Sequence, residues 1–96
     1  MPALLIAVLD VHDRAGLEEY MRLAGPTLEP HGATIRAIDE EPEVLEGVWP
    51  GTRTVVLEFP TRADLRAWYD SPEYQTAAQV RLRATDTVMV AVDTWK

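Results

Sequence analysis

Apolar residues follow one another almost without interruption near both ends of the chain. They fill Ala3–Val11 and the core Val88–Val92 of the segment Asp86–Val92. Neither a helical stripe nor an alternation with polar residues is present, and such runs are typical of strands with apolar side chains on both faces. We therefore predict a first strand at Ala3–Val11 and a last strand at Asp86–Val92.

Two more strands are predicted between these ends. One covers Ala33–Ile38 and is followed by Asp39–Glu43, which we interpret as a solvated loop because adjacent carboxylates rarely converge on one metal ion. Val44–Trp49 is a candidate extension of this strand. The other strand covers Thr52–Phe59. Strand alternation gives one of its faces the side chains of Arg53, Val55, Leu57 and Phe59.

Helical spacing first appears at Arg14–Ala24, with Asp13 as a suitable N-cap and His12 just before it. A further helical turn is predicted over Pro26–Pro30, and Gly32 is the expected left-handed stop. The apolar stripe of this region is formed by Leu17, Tyr20, Met21, Ala24 and Leu28.

The second helix is predicted from its N-cap Thr61 to about Asp70, and a third helical segment follows the N-cap Ser71, with Pro72 at its first position. One side of the third segment carries Tyr74, Ala77, Ala78, Arg81 and Leu82.

The resulting order is βαββαβ, which predicts an α+β fold of the ferredoxin-like kind. In this plan a four-stranded antiparallel sheet carries its helices on one face, and the first and third strands are central. The uncovered face would expose the apolar side chains of the first and last strands, which soluble monomers avoid. We therefore expect a homodimer that packs sheet against sheet through this open face.

Length, net charge and the absence of cysteine exclude several classes of function and partner. The 96 residues fit one domain, 1–96, and a chain of this length gains stability from a partner. A net charge of −7 argues against nucleic acid and membrane surfaces as partners. The absence of cysteine excludes disulfides and thiolate metal sites. No signal peptide or membrane-spanning run is visible, so a cytoplasmic location is the default expectation.

Several short motifs resemble the domain-of-unknown-function family 1330, which belongs to the dimeric α/β-barrel superfamily. They are Asp13 with Tyr20, His31-Gly32, Leu45-Glu46-Gly47, Phe59-Pro60, Trp68–Tyr74 and Arg81. The resemblance implies a ferredoxin-like fold and a face-to-face dimer, but no reaction. Related branches include cofactor-free monooxygenases of aromatic polyketides, muconolactone-type isomerases and stress-responsive barrels. The chain departs from the family pattern at Ile38-Asp39-Glu40, where relatives usually have Arg-Gly-Gly.

Arg81 is the sharpest candidate for chemistry, because it falls on the helix side expected to meet the sheet, where a guanidinium needs a partner. It would either clamp the carboxylate or enolate of a ligand or form a structural salt bridge, with Glu46 as the best acid. We favour the salt bridge, since structural ion pairs are a common use of buried arginine.

The aromatic residues Tyr20, Trp68, Tyr69 and Tyr74 allow two interpretations. They would either fill the core with their hydroxyls bound to the backbone, or line a ligand pocket between helices and sheet. With Arg81, the ligand-binding candidates are Tyr20, Trp68 and Tyr74.

His12 at a strand end and Glu46 before Gly47 are the candidates for a general base, although structural roles are favoured for both. The two histidines, His12 and His31, without cysteine argue against a metal site, and no phosphate-binding loop is present, so no cofactor is expected. Two hypotheses follow. The first is a homodimer that binds a small aromatic or enolisable metabolite, with a cofactor-independent enzyme as its catalytic form, and the second is a non-catalytic structural or stress-type dimer.

Overall fold

The computed structural model describes residues 1–95, so Lys96 of the predicted domain lies outside the described residues. Four strands and three α-helices follow one another in the predicted order. Their bounds are β1 Ala3–Val11, α1 Arg14–Ala24, β2 Thr34–Asp39, β3 Arg53–Phe59, α2 Arg62–Tyr69, α3 Pro72–Ala84 and β4 Thr85–Asp93. Two short 3-10 helices, Gly25–Thr27 and Glu29–His31, lie between α1 and β2.

The sheet is antiparallel with the strand order β2-β3-β1-β4, so β1 and β3 are central as predicted. Leu5 of β1 pairs with Leu57 on one side and with Ala91 on the other. A register shift between Ile35 and Ala37 interrupts the pairing of β2 with β3. The ferredoxin-like α+β prediction is confirmed, and within one chain the sheet stays open.

One face of the sheet packs against the helices and forms the core. Ala3, Leu5, Ala7 and Leu9 of β1 are all at most 3% exposed. Ala3 and Leu5 pack in one cluster with Leu57 and Phe59 of β3, whereas Ala7 and Leu9 pack with Leu17 of α1. Buried apolar surface of this kind is the main source of stability in a small domain. The core therefore lies between this face and the helices α1, α2 and α3.

The opposite face of the sheet carries apolar side chains that no element within residues 1–95 covers. On β4, Val88, Val90 and Val92 are 55%, 46% and 37% exposed. Leu4 and Ile6 of the neighbouring strand β1 point the same way and are half-buried. A contiguous apolar face of this kind is the feature from which a homodimer was predicted.

Local capping rules explain where the helices begin and stop. Asp13, Thr61 and Ser71 each accept a backbone N–H at the start of their helices, as predicted. Gly32 has a φ of 74°, the left-handed conformation that favours glycine. The predicted turn Pro26–Pro30 is divided between the two 3-10 helices.

The predicted extension of β2 over Val44–Trp49 is wrong. These residues belong to the connection between β2 and β3, and none of them is in a strand. Leu45 and Val48 are 84% and 95% exposed, so the apolar pattern there reflects no burial within the chain. The connection is fixed at its end, where Thr52 N–H donates to the Leu9 carbonyl and a Cβ on Gly51 would lie 2.6 Å from that carbonyl.

Candidate small-molecule site

A cavity of about 200 Å³ lies between the helices and the sheet. Its floor is the helix-facing side of β1 and β3, and its mouth lies between α1 and the edge strand β2. The apolar side chains Met21, Ile35 and Ile38 border this mouth and are 37%, 54% and 47% exposed. The lining residues are apolar except for Arg53, Arg81 and the two aromatic residues with a polar group, Tyr20 and Trp68. Such a composition, apolar with few polar groups, is typical of a site for a small organic molecule.

Arg81 lies on the last turns of α3, is 5% exposed and lines the cavity. Its guanidinium carbon lies 5.8 Å from the centre of the Tyr20 ring. Its Nε is buried and has no hydrogen-bond partner among residues 1–95, and no carboxylate in that part of the chain pairs with it. A buried guanidinium without a counter-charge is costly, so this group favours an anion in the cavity.

Tyr20 and Tyr74 join α1 to α3 beside this arginine. Their hydroxyl oxygens lie 2.9 Å apart, and their rings meet edge to face with centres 6.2 Å apart. Burial raises the pKa of the Tyr20 phenol above its ordinary value, the Tyr74 hydroxyl raises it further, and the Arg81 charge opposes both. Tyr20 is therefore a neutral hydroxyl at physiological pH and is able to donate a hydrogen bond.

Trp68 lines the cavity and is 1% exposed. Its ring centre lies 3.9 Å from that of Tyr74 with the ring planes tilted by 37°, and its indole N–H donates to Thr27 Oγ1 over 2.9 Å. Its polar atom is thus already satisfied by the protein, which leaves the ring to contact an apolar ligand. Tyr69, adjacent in sequence, lies outside the cavity lining and supports Tyr74 with ring centres 5.8 Å apart.

Of the predicted ligand-binding residues, the structure brings Tyr20, Trp68 and Arg81 to one cavity. Tyr74 is completely buried behind Tyr20 and reaches the cavity only through their shared hydrogen bond. The interpretation in which the tyrosine hydroxyls bind the backbone is wrong for this pair, because the two hydroxyls bind each other.

The predicted ion pair between Arg81 and Glu46 is wrong. Glu46 is exposed in the connection between β2 and β3, and the adjacent Gly47, with a φ of 84°, turns the chain there. His12 is exposed at the end of β1, where its backbone N–H donates to the Ala84 carbonyl. Neither side chain lines the cavity, so both candidates for a general base lie outside it.

Sequence reasoning did not assign Arg53 to the site. Arg53 is 6% exposed, lines the cavity and pairs with Glu40, which also lies 3.5 Å from Arg14. The signal was present, because strand alternation placed Arg53 on the same face as Val55, Leu57 and Phe59. The acidic residues of Asp39–Glu43 are exposed as predicted, although Asp39 still belongs to β2. Through Glu40 the segment also neutralises the buried charge of Arg53.

Within residues 1–95, no group of three or more histidine or acidic side chains is arranged to hold a metal ion. In the same part of the chain, no helix combines the length and the apolar character needed to cross a membrane.

The open antiparallel sheet with its helices on one face defines a ferredoxin-like α+β protein. The chain belongs to the family described as domain of unknown function (DUF1330), whose model matches residues 2–95. Its own motifs around Phe59-Pro60 and Trp68–Tyr74 had indicated this family. A comparison with curated protein sequences finds no match.

Solved structures share the fold at low sequence identity. A protein of unknown function from Rhodopseudomonas palustris has a TM-score of 0.80 at 18% identity, over 99% of this chain and 83% of that one. A dimeric ferredoxin-like protein of unknown function from a Jannaschia species has a TM-score of 0.73 at 13% identity, over 98% and 100%. SnoaB, a cofactor-independent oxygenase from Streptomyces nogalater, has a TM-score of 0.68 at 9% identity, over 99% and 94%.

Proposed function

We propose that this protein is a homodimer that binds a small aromatic or enolisable metabolite with an acidic group between its helices and sheet. The observation that carries the proposal is the position of Arg81, a buried guanidinium without a carboxylate partner in the described chain, in the wall of an apolar cavity. The anion that this guanidinium needs would come from the ligand.

The size and lining of the cavity support a single-ring ligand. A cavity of about 150 Å³ is sufficient for benzene, and this one measures about 200 Å³. Trp68 offers an aromatic face, while Arg81 and the neutral hydroxyl of Tyr20 offer donors to an acidic oxygen. An aromatic carboxylate or an enolate matches both features.

The open face of the sheet supports the homodimer. Val88, Val90 and Val92 alternate along β4 and would be covered by the same face of a second copy. The ferredoxin-like protein from the Jannaschia species, which shares the fold, is described as dimeric.

Isothermal titration calorimetry with benzoate and its neutral isostere benzamide tests the binding site. We expect benzoate to bind the wild-type protein more tightly than benzamide, and Arg81→Met to lose this preference. Arg83→Met is the matched control, because Arg83 lies on the same helix but is exposed, and it should keep the preference. Equal binding of the two compounds, or no binding of benzoate at millimolar concentration, would contradict the proposal.

A cofactor-independent enzyme acting on an enolisable substrate is the second candidate. The specific observation in its favour is the pairing of a neutral Tyr20 hydroxyl with the Arg81 charge, because both would stabilise the oxygen of a developing enolate. A water molecule or hydroxide from solvent would take the proton released from carbon, because His12 and Glu46 lie outside the cavity. The test is deuterium exchange at the enolisable carbon of phenylpyruvate, followed by NMR. The exchange rate with the wild-type protein should exceed the rate in solvent alone, and the rate with Tyr20→Phe should be lower than with the wild type. Exchange at the solvent rate would favour a protein that only binds its ligand.

The alternative from the sequence, a structural dimer whose polar residues only maintain the fold, predicts a core filled by its own side chains. An open cavity and an unpaired Arg81 argue against it.

A further inference from the structure

Arg53 brings a second guanidinium to the cavity. Its side chain is 8% exposed, because β3 directs it towards the helices, and one terminal nitrogen lies 3.1 Å from the sulfur of Met21. The other terminal nitrogen pairs with the Glu40 carboxylate. The cavity thus contains two buried guanidinium groups, and within residues 1–95 only the one on Arg53 has a carboxylate partner.

Glu40 differs from Arg53 in how firmly the protein holds it. Its side chain is 44% exposed, and it lies just after β2 at the start of the long connection to β3. Its second contact, to Arg14 at the exposed start of α1, measures 3.5 Å. Because the Glu40 carboxylate is itself exposed, it loses little when it returns to water, whereas the buried Arg53 guanidinium still needs an anion, which a ligand would supply.

We propose that Arg53 is a second anion-binding group of the pocket and that Glu40 occupies its place in the free protein. This inference rests on the proposed function and specifies its ligand class: a small aromatic molecule with two acidic groups. One group binds at Arg81 and Tyr20, and the other displaces the Glu40 carboxylate from Arg53.

The displacement has a structural consequence at the mouth of the cavity. Glu40 connects the start of the connection between β2 and β3 to both Arg53 and Arg14, close to the exposed border residue Ile38. A ligand anion that replaces Glu40 at Arg53 breaks the contact between this connection and the cavity wall. Glu40 therefore acts as an internal competitor that favours ligands able to supply both charges.

Calorimetric titration of the full chain with isophthalate, a dicarboxylate, and benzoate, a monocarboxylate, tests the inference. We expect isophthalate to bind the wild-type protein more tightly than benzoate. Glu40→Gln should strengthen isophthalate binding by roughly three- to tenfold, because the competing carboxylate is removed, and should change benzoate binding less than twofold. Arg53→Met should reduce isophthalate binding to the level of benzoate.

Glu41→Gln is the matched control, since Glu41 is exposed, adjacent in sequence and removes the same charge. It should change binding of either acid less than twofold. An equal gain in Glu40→Gln and Glu41→Gln, or an equal gain for both acids, would show a general charge effect and overturn the inference. A Glu40→Gln variant that binds isophthalate as the wild type does would also overturn it.

These outcomes separate the two proposals. If benzoate binds and depends on Arg81 while isophthalate is insensitive to Glu40 and Arg53, only the second anion-binding group is rejected. If neither acid binds the wild-type protein or Glu40→Gln, the pocket itself is rejected, and this inference with it. Thermal melts of each variant establish that the chain is folded.

Discussion

The hydroxyl oxygens of Tyr20 and Tyr74 lie 2.9 Å apart, and this contact connects the cavity wall to the fully buried interior. One hydroxyl of such a pair donates and the other accepts. When Tyr74 donates, the Tyr20 proton is free to reach a ligand oxygen beside Arg81. The pair therefore places a neutral donor next to a fixed positive charge.

The raised pKa of Tyr20 predicts a loss of stability in alkaline solution. An unfolded tyrosine ionises near pH 10, whereas the buried phenol keeps its proton above that pH. The stabilisation is fully present below about pH 10 and is lost as the pH rises further, because only the unfolded chain then releases this proton. Urea denaturation between about pH 8 and pH 11 should show a smaller fall in the free energy of unfolding for Tyr20→Phe than for the wild type. Equal falls in both proteins would contradict the burial argument, and Tyr69→Phe serves as control.

The cap of α3 predicts a second stability effect. Ser71 Oγ accepts the Tyr74 backbone N–H over 3.2 Å and donates to the Trp68 carbonyl over 2.7 Å, so it connects the end of α2 to the start of α3. Ser71→Ala should cost about 1 kcal/mol in the free energy of unfolding. Thr76→Ala, within the exposed part of α3, should be neutral or slightly stabilising because alanine is the better helix former. A Ser71→Ala protein as stable as the wild type would show that this cap contributes nothing.

The open face of the sheet predicts the assembly. Val90 is 46% exposed in the middle of β4, and an aspartate there would place a charge in a sheet-to-sheet interface. In sedimentation velocity at micromolar concentration, the wild type should be a dimer and Val90→Asp a monomer or an aggregate. Leu82→Asp is the matched control, because Leu82 is 59% exposed on α3, away from the sheet, and should leave the dimer intact. A wild-type chain that sediments as a monomer would contradict the homodimer.

The helix caps and the shared face of Arg53 and Val55 on β3 follow from short-range rules, and the sheet order follows from the βαββαβ plan, which is why the sequence predicted them. Side-chain periodicity placed Arg53 on the same face as Leu57, and Ser71 before Pro72 marked the start of α3. The ion pairs follow no such rule. The connection after β2 has no periodicity, and only the folded chain brings Glu40, rather than Glu46, to a buried arginine. The register shift next to Ala37, which places Ile38 at the mouth of the cavity, likewise has no marker in the sequence.

The last prediction concerns Arg81, whose substitution should abolish ligand binding but hardly change the free energy of unfolding. Glu46 and Arg81 form no ion pair in residues 1–95, so the effects of Arg81→Met and Glu46→Gln on stability should add within about 0.5 kcal/mol. Glu46→Gln, an exposed substitution, should by itself change stability by at most about 0.5 kcal/mol. Arg81→Met should stay within about 1 kcal/mol of the wild type, because the lost contact with the Tyr20 ring offsets the relief of an unpaired charge.

The ion pair between Arg53 and Glu40 supplies the positive control for the double-mutant cycle of Arg81 and Glu46. There the single changes Arg53→Met and Glu40→Gln should each destabilise, and the double variant should recover about 1 kcal/mol relative to their sum, because Glu40→Gln alone leaves the buried Arg53 charge without its carboxylate. Urea denaturation of both sets measures the two coupling energies side by side. Strong coupling between Arg81 and Glu46 would indicate that the two residues form a structural salt bridge after all. Arg81 would then have a counter-charge within the protein and would not need an anion in the cavity. Additive stability effects, together with loss of benzoate binding in Arg81→Met alone, would identify Arg81 as a ligand-binding residue that contributes little to the stability of the free protein.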